Sequence, residues 1–138
     1  MKMMNNIVRR EVIPLLSDED IVRARKIVRD WTISLKFSLV DQTKLVTAVS
    51  ELARNTVEHG GGGSALLEIL DDNIRRGIRL TFEDQGPGIA NIDQAMTDGY
   101  SSRGSLGLGL GGTKRLVNEF DLSSEPGKGT RVTIARWK

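Results

Sequence analysis

The sequence predicts an α+β two-layer sandwich whose sheet is mostly antiparallel, or mixed, with its helices on one face. Two long stretches with apolar residues at helical spacing precede a pair of alternating strands. A glycine-rich segment and a shorter helical pattern follow, and a second strand pair closes the chain. Helices grouped between hairpins, rather than alternating with single strands, favour an antiparallel sheet over a doubly wound one.

Each element has its own local signal. Ile7 to Leu16 is rich in β-branched residues and is interrupted by Pro14, which suits a strand at a sheet edge. Ser17 is placed to cap the helix that follows. From Asp20 to Lys36, Ile21, Ala24, Ile27, Val28, Trp31 and Leu35 form an apolar stripe, with Arg23, Arg25 and Arg29 on other faces. A second helix spans Asp41 to His59 around Leu45, Val46, Val49, Leu52, Ala53 and Val57, and Gly60 to Gly63 end it. Ala65 to Leu70 and Gly77 to Asp84 read as a hairpin joined at Asp71 to Arg76, with Ile78, Leu80 and Phe82 facing inward. Between Gly86 and Gly104 only Ile92 to Met96 has helical character, and the rest reads as a mobile loop. Leu110 to Phe120 returns to helical spacing through Leu116, Val117 and Phe120. Asp121 to Glu125 and Thr130 to Arg136 form the last hairpin around Pro126-Gly127-Lys128-Gly129.

The bulk numbers set limits on function. A chain of 138 residues suits one domain, taken as 1–138, with one core. No apolar run approaches the ~20 residues of a membrane-spanning helix. With no cysteine there is neither a disulfide frame nor a thiolate metal site, and Met1 to Asn6 lacks the apolar core of a secretory signal, so the expected location is cytoplasmic. The net charge of +2 and the scarcity of aromatic residues, 4%, argue against a nucleic-acid surface.

Three short segments carry the chemistry. In Ser50-Glu51-Leu52-Ala53-Arg54-Asn55 a carboxylate and a carboxamide stand four residues apart on a helix, so both project from one face. That pair suits a magnesium ion held through Asn55 and an attacking hydroxyl whose proton Glu51 accepts. Alone, it also fits an exposed polar pair. Asp84 ends an apolar strand before Gly86-Pro87-Gly88, where a carboxylate is able to accept the amino group of adenine while glycine lets backbone approach the base; a turn aspartate is the alternative. Gly104, Gly107, Gly109, Gly111 and Gly112 offer backbone amides to phosphates ahead of a helix, with Arg103 and Lys114 as candidate counter-charges. A dinucleotide fingerprint through Gly107, Gly109 and Gly112 fails because no βαβ unit frames it, and the phosphate-loop pattern fails because Thr113-Lys114 reverses the required order. His59 stands at a helix end, where a terminal interaction suits it better than catalysis; Trp31 reads as core and Trp137 as a sheet residue.

These segments, together with Gly129-Thr130, occur in the order of the N, G1, G2 and G3 boxes of the GHKL ATPase and kinase superfamily, and the match covers nearly the whole chain. Within it the chain resembles the small bacterial serine/threonine kinases, the RsbT-type stressosome switch kinases and the anti-sigma factor kinases. The wording Glu83 to Ile89 and Asp98-Gly99-Tyr100-Ser101 is nearer to the switch kinases. The resemblance implies a Bergerat fold, ATP and Mg2+ as cofactors, Asn55 as magnesium ligand, Glu51 as general base and Asp84 as adenine partner. It implies that Gly86 and Gly88 shape the base pocket and that Thr130 lies near the adenine and its waters. Gly104, Gly107, Gly109 and Gly111 would form a lid over the phosphates. It further implies phosphorylation of a STAS-domain antagonist on serine or threonine, followed by activation of a PP2C-type phosphatase. The alternative is an anti-sigma factor that holds a sigma factor and phosphorylates its STAS anti-anti-sigma factor. The absence of a dimerisation helix with a phosphoacceptor histidine argues against a two-component kinase.

Overall fold

A computed structural model describes residues 6–96 and 109–138. In chain order the elements are β1 (Asn6–Leu15), α1 (Asp18–Ser34), α2 (Leu39–Glu58), β2 (Gly63–Asp71), β3 (Arg76–Asp84), α3 (Ile92–Ala95), α4 (Gly109–Lys114), β4 (Glu119–Ser124) and β5 (Thr130–Trp137). The strands make one five-stranded sheet in the order β1-β2-β3-β5-β4, and all four pairings are antiparallel. β1 is an edge strand, which is why Pro14 is tolerated opposite Ser64.

Helix boundaries follow capping chemistry. Ser17 occupies the cap position of α1 without a side-chain bond; instead the Leu16 N–H donates to Asp20 Oδ2 at 2.9 Å. Asp18, Glu19 and Asp20 in the first turn complement the helix dipole. α2 begins two residues before the expected Asp41 because Ser38 caps it, its Oγ accepting from the Asp41 N–H at 3.1 Å. At the other end the N–H groups of His59 and Gly60 both donate to Asn55 O, and Gly61 and Gly62 take φ of +75° and +105°, where a side chain is disfavoured.

One sequence expectation is corrected. The helical pattern from Leu110 to Phe120 yields only α4, and Phe120 belongs to β4, opposite Ile134. A short apolar run satisfies either period, and here the open edge of β5 decides: the Asn118 N–H donates to Ala135 O and starts the ladder.

The core lies between the sheet and the helices. Ile13, Leu15, Ala65, Leu67, Ile78, Leu80, Phe82, Val132 and Ile134 meet Ala24, Val28, Trp31, Leu45, Ala48, Val49, Leu52 and Ala53. The opposite sheet face is mixed, with Leu70, Ala135 and Trp137 buried outside the main core and Val12 exposed. There the buried Glu68 accepts from Arg10 at 3.3 Å and from Arg79 at 3.0 Å, while Thr81 and Thr133 share a hydrogen bond. Trp137 ends β5, covered by the Arg75 guanidinium and donating its indole N–H to Glu119 at 2.7 Å. No helix among the described residues is long and apolar enough to cross a membrane.

Arg136 links three elements. From β5 it donates to Asp41 in the first turn of α2 and to Leu116 O beyond α4. The Arg136 hydrogen bond holds the Asp41 carboxyl below its ordinary value of 3.8. A carboxylate held low stabilises the fold above the unfolded value and loses that contribution as pH falls through the folded one. Asp41→Asn is expected to lower stability by about 1 kcal/mol at neutral pH. In urea denaturation the gap between the two proteins should narrow once the pH falls below 3.8; a gap constant with pH would count against this role.

Candidate functional site

A cavity of 450 Å³ opens between α2, the end of β3, the segment after it, α4 and the start of β5. That volume is ordinary for a small-molecule site. Its α2 wall follows from helical periodicity: Glu51, Asn55 and Glu58 lie at i, i+4 and i+7 along one stripe, and all three line the cavity. Leu52 and Ala53 between them are buried in the core, so the stripe sits where the packed face meets the opening. Glu51 is itself only 9% exposed, with the Arg54 guanidinium 3.5 Å from Oε1.

Asp84 forms the opposite wall at the carboxyl end of β3 and is buried. Burial pushes its carboxyl above 3.8, and the Glu83 charge adds to this; the N–H groups of Gly86 and Thr130 pull the other way. The Gly86 bond to Oδ1 is 2.8 Å. The result is a desolvated acceptor with its position set by backbone.

Glycine makes this arrangement possible. A Cβ on Gly60 would lie 2.3 Å from Asp84 Cγ, and one on Gly86 would lie 2.6 Å from Gly60 O. A Cβ on Gly129 would lie 2.2 Å from Asp84 O. Three glycines from three segments thus pack around Asp84: Gly60 against its carboxyl, Gly86 against Gly60, and Gly129 against the Asp84 main chain.

Of the residues singled out in the sequence, Glu51, Asn55, Asp84, Gly88, Gly109 and Thr130 line the cavity together. Gly86 stands just behind, against Gly60. Gly111 is buried inside α4, and it and Lys114 are not among the lining residues. Arg103, Gly104 and Gly107 lie outside the described residues, as does Asp98 to Ser101. Sequence reasoning passed over Arg54, Thr56, Glu58, His59 and Leu110 as cavity wall. Arg54 and Glu58 share the α2 stripe and His59 follows Asn55 by one turn, so helical phase identifies those three; Thr56 is one turn after the buried Leu52, on the core side. It also took Gly60 for a helix stop alone, whereas its contact with Asp84 is between residues distant in the chain.

The donor set fits the groups that the sequence implies. Among the described residues no cluster of three His, Asp or Glu is placed to hold a metal ion. A magnesium ion at Asn55 would therefore take phosphate oxygens and water as its remaining ligands, which is how this ion is usually held. The buried acceptor Asp84 suits an amino group on a flat heterocycle that glycine backbone can approach.

Comparison with known proteins gives the family. The sequence model described as "Histidine kinase-, DNA gyrase B-, and HSP90-like ATPase" matches residues 40–138. The chain is 42% identical over 125 residues to serine/threonine-protein kinase RsbT of Bacillus subtilis (strain 168), covering 91% of this chain and 94% of that one. It is 31% identical over 138 residues to anti-sigma F factor of Clostridium kluyveri, covering 97% and 96%. Among solved structures, the RsbU and RsbW domains of Rv1364c from Mycobacterium tuberculosis match with a TM-score of 0.63 at 18% identity, over 95% of this chain and 33% of that one. The SiaB-SiaC complex from Pseudomonas aeruginosa matches at 0.56 and 15%, over 96% and 91%. At these two identities the likeness is one of fold.

Gly60→Ala is expected to destabilise the chain by about 1–3 kcal/mol, because the added methyl must displace Asp84 or the backbone behind it. Urea denaturation measures this, and an unchanged midpoint would mean that the close approach is not required.

Proposed function

The chain belongs to the histidine kinase-, DNA gyrase B- and HSP90-like ATPase family and is a homologue of a serine/threonine-protein kinase, and we propose that it transfers the γ-phosphate of ATP to a serine or threonine of a STAS-domain antagonist. The observation that carries this reading is the opening of Glu51, Asn55 and Asp84 onto one cavity, the first two on a single helix stripe and the third desolvated across from them. We take residues 1–138 as a single kinase unit.

Asp84 accepts the adenine amino group, with Gly60 and Gly88 lining the same cavity and Gly86 holding the carboxylate from behind. Thr130 borders the same end. Asn55 holds Mg2+, which when bound neutralises charge on the phosphates. Glu51 accepts the proton of the acceptor hydroxyl as its oxygen bonds to the γ-phosphorus; the bond from that phosphorus to the β–γ bridging oxygen breaks, and ADP leaves with the electron pair. Gly109, at the start of α4, and Arg103, Gly104, Gly107 and Gly111 are assigned to the phosphate side on the sequence pattern alone. The protein's own contribution is positioning and electrostatics. A partner that supplies the hydroxyl and closes the opening keeps water out, so hydrolysis without it is slow.

After transfer, the released kinase activates a PP2C-type phosphatase, or an activator domain of one. The likeness to anti-sigma F factor over nearly the full chain favours one further reading, in which the chain holds a sigma factor and phosphorylates its STAS antagonist. Affinity capture with a sigma factor on one arm and a PP2C phosphatase on the other separates the two.

Glu51→Ala should lower transfer from γ-labelled ATP to a STAS protein by about 10²–10⁴-fold with ATP binding retained. Loss of binding in that variant, or full transfer, would contradict the assignment. ATP binding should also weaken as the pH falls through the raised Asp84 value, since protonation removes the carboxylate charge and turns one of its acceptor oxygens into a donor. The slope should be shallower in Asp84→Asn, where only ATP's own groups change protonation and residual binding is weak throughout; equal slopes in the two proteins would remove Asp84 from the adenine contact.

A further inference from the structure

Ser124 on β4 lies outside the cavity, yet it joins the segments that enclose its base end. Its Oγ accepts the Ile89 N–H at 2.8 Å, lies 3.1 Å from Gly129 O, and lies 2.9 Å from Thr130 Oγ1. Around it the β4–β5 turn is seated on the loop after β3. The Gly127 N–H donates to Pro87 O at 2.6 Å, and a Cβ on Gly88 would stand 2.0 Å from Glu125 O.

Proton counting gives this cluster a direction. A serine hydroxyl has one proton and two lone pairs. Gly129 O only accepts, so the bond to it uses the Ser124 proton. The Ile89 N–H takes one lone pair, and the contact with Thr130 is then satisfied only if Thr130 donates its proton to the other. Thr130 is left with lone pairs alone for anything in the cavity that it lines. Across the Asp84–Thr130 strand pair, ionised Asp84 is likewise an acceptor only.

We propose that Ser124 is a positioning residue for nucleotide selection: it fixes the Thr130 proton away from the cavity, so that the base end displays acceptors and takes a 6-amino purine in preference to a 6-oxo purine. This deepens the ATP reading and rests on it. At position 6 an oxo base would bring an acceptor against these acceptors where an amino base brings a donor; its N1–H offsets part of that mismatch, but a buried polar group facing the wrong partner is what gives a site its largest discrimination. With Ser124 removed, the Thr130 hydroxyl rotates freely and is able to donate.

The test is calorimetric titration of the full chain with Mg2+ and either ATP or ITP. Wild type should bind ATP more tightly. Ser124→Ala should lower the ATP/ITP affinity ratio by about tenfold, Ser124→Thr should restore it, and Thr130→Val should lower it with no further change when combined with Ser124→Ala. A Ser124→Ala protein that weakens both nucleotides equally, leaving the ratio intact, would overturn the proposal and make Ser124 a fastener of the turn only. If that variant does not fold, Thr130→Val carries the test alone, and an unchanged ratio there overturns it as well. Wild type that binds neither nucleotide would remove the ATP reading itself, an outcome distinct from ATP binding without Ser124-dependent selection.

Discussion

The structure around the cavity depends on keeping one carboxylate, Asp84, out of water. Desolvation opposes its charge, and the backbone groups of Gly86 and Thr130 offset part of that penalty. To do so, three segments must approach within a distance that no side chain permits: the end of α2 at Gly60, the loop at Gly86 and the last turn at Gly129. Glycine at these positions follows from that close packing of main chain around Asp84.

The two sides of the cavity are built differently. The α2 side is a rigid helix backed by Leu45, Val49 and Leu52, so Glu51 and Asn55 inherit their spacing from the core. The Asp84 side is a junction of loops held by hydrogen bonds at Ser124 and by glycine contacts. A helix wall and a loop wall can each change with little effect on the other.

Much of this was legible in the sequence because it is local. Periodicity located both long helices and the first hairpin, and residue types at fixed spacing pointed to Glu51, Asn55 and Asp84 before any coordinates. What escaped depends on residues far apart in the chain. Phe120 reads as helical until β5 offers it an edge, and Gly60 reads as a stop until Asp84 lies against it. Ser124 looks like an ordinary strand residue, since its partners Ile89 and Gly129 meet it only in the folded sheet. The cap at Ser38 is a different case: the signal was local and was overlooked in favour of Asp41.

The strand order has a consequence for how the molecule assembles. β2–β3 and β4–β5 are hairpins that close across short turns, whereas β1–β2 closes across both long helices and β3–β5 across everything from Gln85 to Gly129. Loop closure of that length must precede its reward in contacts, so the central seam is the slow, non-local step of sheet formation. Asp84 and Thr130 are paired at the end of that seam. The Asp84 end of the cavity is therefore absent from either hairpin alone and comes into being only when the two halves of the sheet join, which couples formation of the cavity to completion of folding.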